Sequence, residues 1–273
     1  MSFRYQHNLE EKINEGILTE VNLDDSFNHV CSDECMGKCC HHITIALDPW
    51  DIESMARYLN ISGQDFVNQY GRLEFDPMTR WPVVKLRHVE DGPCIFLLDD
   101  GRCRIYPVRS RNCRTYPVGR GVRIGDDGKI VEKYFIIDGL RHCINCRPDQ
   151  PSTVRHWLQE AGAFKYYELC DIYLKVINYA VNELRCHYWM SPVTARMMMP
   201  LLYGPDLLRA KLGIEERQVG NEDFYRRRMK ALKVILTDIA AQYGYGPGTG
   251  KNRDTNKTVM ERMKEILTQP GDC

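Results

Sequence analysis

The sequence predicts an α+β protein in which a region of short strands and helices precedes a mainly α-helical one. Up to about residue 150 the apolar runs are short and broken by Gly and Pro. Beyond "CRPDQPST" apolar residues recur at three- and four-residue spacing over long segments. Nine of the twelve cysteines lie between Cys31 and Cys146, on the first side of that change. The chain is accordingly divided into 1–150 and 151–273; 273 residues suffice for one large or two ordinary domains, at roughly 150 residues per domain.

Taken in order, Asp48-Pro49 opens a short helix, a capping residue followed by proline in the first turn, with Trp50, Ile52, Met55 and Leu59 along one side. Ser62 opens a second, with Asp65 in the capping-box position. "VVKLRHV" (83–89) and "CIFLL" (94–98) are predicted strands, and "GVRIGDDGKIVEKYFII" is a hairpin turning on Asp126-Asp127-Gly128. Helical periods then follow at 157–158, 166–184, 224–243 and 258–267. "YGYGPGTGKNRDTN" (243–256) is a predicted exposed loop. Its "GPGTGK" carries only part of a phosphate-loop pattern, because Asn252 stands where Ser or Thr is required and no buried strand precedes it.

Lys+Arg and Asp+Glu balance at 37 each, so no global charge attracts nucleic acid or an anionic membrane. The N-terminus lacks an apolar signal core, and no window reaches the ~18 to 20 apolar residues of a membrane span. A soluble, cytoplasmic protein is expected. In that compartment so many cysteines point to metal ligation or redox chemistry more than to disulfides.

Three clusters supply candidate ligands. The first is "CSDECMGKCC", with Cys31, Cys35, Cys39 and Cys40, followed by His41 and His42; Gly37 permits the turn that convergence needs. Adjacent Cys39 and Cys40 face one tetrahedral ion with difficulty, so one of them serves a second centre or none. The second cluster is Cys94, Cys103 and Cys113, the latter two inside the doubled phrase "CRIYP…CRTYP". The third is the C-x2-C pair Cys143 and Cys146. Nine thiols exceed what one ion or one cubane takes, which implies two centres or one with spare thiols. Cys170 and Cys186 read as small buried hydrophobes, and terminal Cys273 is assigned nothing.

"CSDECMGKCC" and "GPCIFLLDDGRCRIYPVRSRNCRTYP" resemble the YkgJ-type (CxxCxxCC) cysteine-cluster family, a zinc- or iron-chelating domain. Its Cys-x-Phe-Leu, Gly-x-Cys-x-Ile-Tyr and Cys-Arg-x-Tyr-Pro elements fall on 94–97, 101–106 and 113–117. The resemblance covers roughly residues 31–146. It departs in the first run, where the intervals are three, three and zero. The family is often labelled an iron–sulfur oxidoreductase and is similar to the cysteine-rich part of flagellin lysine N-methylases.

Thiolates outnumber hard ligands, which favours zinc, iron–sulfur or copper(I). Single thiolates from separated loops suit a 4Fe–4S cluster, one or two of them, better than the paired knuckles of structural zinc. The C-x3-C start resembles a radical-SAM loop, but its second interval is three where that loop has two, and no strand–helix repeats follow. Seven arginines between 102 and 123, without an acidic residue, suit the charge of thiolate centres; Arg104 and Arg114, next to their cysteines, are the cofactor-binding candidates. Tyr-Pro after each is expected to turn the chain out of a helix. The leading function is a cytoplasmic iron–sulfur protein with redox or cluster-dependent chemistry and a redox or protein partner. The alternatives are a zinc-stabilised interaction module and a methylase-like protein-modifying enzyme. No Ser-His-Asp set, paired carboxylates or nucleotide fingerprint is legible, so no catalytic residue and no small-molecule substrate is assigned.

Overall fold

A computed structural model describes residues 11–29, 36–41, 44–90, 92–125, 127–137, 152–246 and 257–269. Cys31, Cys35, Cys143, Cys146 and Cys273, with His42, His142, Asp126 and most of the 243–256 loop, lie outside the described residues.

In chain order the elements are β1 (Leu18–Val21), β2 (Ala46–Leu47), α1 (Pro49–Tyr58), α2 (Gly63–Tyr70), β3 (Gly71–Phe75), β4 (Pro82–Leu86), α3 (Arg111–Thr115), β5 (Val118–Ile124) and β6 (Ile130–Ile137). Helices α4 (Val154–Glu160), α5 (Ala163–Asn178), α6 (Pro192–Tyr203), α7 (Pro205–Leu212), α8 (Asn221–Gln242) and α9 (Val259–Thr268) follow. The class is α+β, with two three-stranded antiparallel sheets ordered β1-β6-β5 and β2-β4-β3. Among the described residues no helix is long and apolar enough to cross a membrane.

Two compact units alternate along the chain. One comprises Met1–Ile45 and His88–Tyr167, the other Ala46–Arg87 and Glu168–Cys273. The sequence change near residue 150 marks composition, whereas the units follow packing.

In the first unit β5 and β6 form the expected hairpin, closed by Gly125 N–H donating to Lys129 O (2.8 Å) with Gly128 at φ 75°. The sheet packs Val118 and Tyr134 against Val154, Leu158, Ala163, Tyr167 and Phe27, all buried. Thr153 caps α4 by accepting the His156 N–H (3.2 Å). Trp157 Nε1 donates to Thr115 O (3.0 Å), tying α4 to the end of α3.

In the second unit Asp48 and Asp51 form a capping box on α1, and Ser62 caps α2. Gly63 is required there, because a Cβ would sit 2.2 Å from the Tyr203 carbonyl oxygen. Trp50, Ile52, Met55, Phe66, Trp81, Leu169, Phe224 and Leu236 are buried. Trp81 Nε1 donates to Tyr173 Oη (2.8 Å). A fully buried Arg228 pairs with Glu53 and donates to Leu201 O (2.9 Å). Helices α6 and α7 are not announced by periodicity, because Pro200 inside α6 and the Gly204-Pro205 pair interrupt it. Cys170 and Cys186 are buried in this unit, and Cys186 Sγ donates to Thr79 O (3.3 Å).

Candidate metal centre

The thiols of the first unit are presented by loops. Gly37, at φ 77°, starts the short 3₁₀ turn Lys38–Cys40. A Cβ at Gly37 would lie 2.9 Å from Gly101 O and 3.0 Å from Leu97 Cδ1, so this position must be glycine for the 36–40 loop to lie against the 97–101 turn. Cys94 N–H donates to Cys40 O (2.8 Å), which brings those two backbones together.

Residues 94–98 form a turn in place of the predicted strand. Leu97 N–H closes on Cys94 O (3.0 Å), and among the described residues the segment pairs in isolated bridges, His88 with Cys94 and Leu97 with Cys103. The apolar run suggests a strand, but Phe96 alone is fully buried (1% exposed), while Ile95 and Leu98 face solvent. Cys103 opens a second turn of the same kind, closed by Tyr106 N–H on Cys103 O (3.1 Å).

The two turns treat their sulfurs alike. Phe96 N–H donates to the Cys94 sulfur, and Ile105 N–H donates to the Cys103 sulfur. In each, the residue two beyond the cysteine is buried, Phe96 at 1% and Ile105 at 2% exposed. Burial fixes the amide, and the amide is aimed at the sulfur, where it stabilises a thiolate.

Cys39, Cys40, Cys94 and Cys103 feel one another's charge. A hydrogen bond from Cys40 brings the Cys39 thiol down to about 7, with a smaller contribution from Arg109. The same bond, together with burial, pushes Cys40 up. Burial raises Cys94 and Cys103, partly offset by their amide donors. None of the described cysteines is in a disulfide.

These loops lie inside a recognisable family segment. Residues 30–134 match the CxxCxxCC family model. The family's description is "putative zinc- or iron-chelating domain". No solved structure matches the chain. Among the described residues no three His, Cys, Asp or Glu side chains are gathered closely enough to hold a metal ion. The donor chemistry of the CxxCxxCC segment fits zinc or iron: soft sulfurs, amide donors to sulfur and nearby positive charge.

That charge comes from Arg109, which adjacency to a cysteine does not reveal. Its guanidinium stacks 3.9 Å from the Tyr106 ring centroid and donates to Tyr106 O (2.8 Å). It interacts with Cys39, Cys103 and Cys113. Arg114 is buried and committed elsewhere: it donates to Ala161 O (2.5 Å), Pro107 O (3.2 Å) and Arg109 O (3.3 Å), and stacks on Tyr166 (4.1 Å). Arg104 is exposed. Arg120 pairs with Glu132 (2.6 Å) over Tyr167, and Arg102 with Asp100 (3.8 Å).

Cys113 sits in α3 and donates its N–H to the buried capping Ser110 Oγ (3.3 Å). The two Tyr-Pro pairs also differ. Tyr116 is extended (φ −50°, ψ 136°) and ends α3 before a cis bond to Pro117. Tyr106 instead begins the 3₁₀ turn Tyr106–Val108, which tolerates Pro107 in its first turn. His41 is exposed.

Proposed function

We propose that the cysteine-rich unit belongs to a cytoplasmic iron–sulfur protein whose thiolates hold a 4Fe–4S cluster for redox or cluster-dependent chemistry. The observation that carries this is the pair of equivalent turns at Cys94 and Cys103, each offering one sulfur with its own amide donor. Single sulfurs from separate turns suit a cubane, whereas structural zinc favours paired knuckles. Cys94, Cys103 and one of Cys39 and Cys40 would contribute ligands, with Cys31, Cys35, Cys113, Cys143 and Cys146 as the other candidates. When bound, the cluster supplies one-electron transfer.

Around it, the chain's own residues set the conditions. Phe96 and Ile105 hold their amides on sulfur, and Arg109 offsets anionic charge. Thiols held unpaired as neighbours suit a reducing compartment. Anaerobic purification tests the reading: iron and acid-labile sulfide in near-equal amounts are expected, and a colourless protein with zinc alone would contradict it.

Zinc is the second reading, favoured by an imidazole opposite Cys94. It predicts unfolding by chelator without loss of any visible chromophore.

A further inference from the structure

The segment preceding Cys94 carries a histidine that the cysteine pattern does not single out. His88 and Cys94 are directly opposite in an antiparallel bridge. Val89 N–H donates to Pro93 O (2.9 Å), so His88 and Cys94 form the pair between ladder hydrogen bonds. In that class Cα atoms approach to about 4.5 Å and the two side chains rise on the same side. The imidazole and the thiol therefore leave the bridge on one face.

His88 Nε2 is buried and has no hydrogen-bond partner among the described residues. A buried polar atom without a partner costs stability, and such an atom in a native fold calls for an unseen partner. A structural histidine would satisfy that nitrogen with a carbonyl, hydroxyl, carboxylate or ordered water. Here the neighbouring chemistry is sulfur: Cys94, whose own N–H is bonded to Cys40 O (2.8 Å).

We propose that His88 is a nitrogen ligand of the metal centre that Cys94 serves, making that centre a mixed sulfur and imidazole site. The proposal rests on the metal-binding reading above and applies to either metal. Imidazole nitrogen binds zinc in Cys3His sites and replaces cysteine on iron in some clusters.

X-ray absorption at the metal edge of the anaerobically purified full chain tests it. The wild-type protein is expected to show a sulfur first shell with the outer-shell pattern of an imidazole. His88→Cys should keep metal, lose that pattern to background and gain sulfur scattering, and His88→Asn should lose it too. His41→Asn should leave it unchanged. A sulfur-only shell in the wild type, or an imidazole pattern surviving in either His88 variant, would overturn the assignment while leaving the metal reading intact. Wild-type protein without zinc or iron would remove both.

Discussion

The chain repeats itself in two ways, and only one is a repeat of structure. In sequence, Cys103-Arg-Ile-Tyr-Pro and Cys113-Arg-Thr-Tyr-Pro are nearly identical. In space they diverge: Cys103 opens a turn that aims an amide at its sulfur, while Cys113 lies in a short helix capped by Ser110. The true counterpart of Cys103 is Cys94, whose neighbours Ile95, Phe96 and Leu97 share little with Arg104, Ile105 and Tyr106 beyond an apolar residue two positions on. That one position matters because its burial fixes the amide that faces the sulfur.

Substitution at the three cysteines gives the largest expected effect. Cys94→Ser and Cys103→Ser should each remove most of the bound metal, and to a similar degree. Cys113→Ser should lose less, and Cys186→Ser none, as read by metal analysis of folded protein. Equal losses at Cys103 and Cys113, with Cys94 spared, would restore the sequence repeat as the functional one.

The buried anchors come next. Phe96→Ala should destabilise the fold by about 3–5 kcal/mol, as core aromatic truncations do, in denaturant unfolding. Ile105→Ala should cost about 2–5 kcal/mol. If neither truncation alters stability, the two turns are not held by these side chains. A control in the second unit is Glu53→Ala, which leaves the buried Arg228 unpaired and should cost about 3–5 kcal/mol.

Smaller effects fall on the thiols themselves. In metal-free protein, alkylation followed by mass spectrometry should find Cys39 reacting first, its rate rising as pH passes through about 7, because the thiolate is the nucleophile. Cys94 and Cys103, pushed up by burial, should react only at higher pH. Arg109→Gln removes a positive charge that favours the Cys39 thiolate, so its reaction profile should move modestly to higher pH. A profile unchanged in Arg109→Gln would separate that guanidinium from the cluster.

What the sequence disclosed was local. The caps at Asp48 and Ser62, and the hairpin closed at Gly125, depend on residues within a few positions of one another, and each element forms where its signals stand. The density of cysteines likewise marked the segment that matches the zinc- or iron-chelating family model. The remainder depends on distant partners. Arg114 looks like a companion of Cys113 until Ala161, 47 residues on, takes its guanidinium. Arg109 has no neighbouring cysteine in sequence, yet its stacking on Tyr106 carries it to three of them. His88 is one histidine among eight until a bridge sets it opposite Cys94.

The central claim is that the Cys94 and Cys103 turns hold a metal centre together. Iron, zinc and acid-labile sulfide should therefore be measured on anaerobically purified wild-type, Cys94→Ser and Cys103→Ser protein. Near-equal iron and sulfide in the wild type, falling together in both variants, is the predicted result. A metal-free wild type, or full metal retained in both variants, would contradict it.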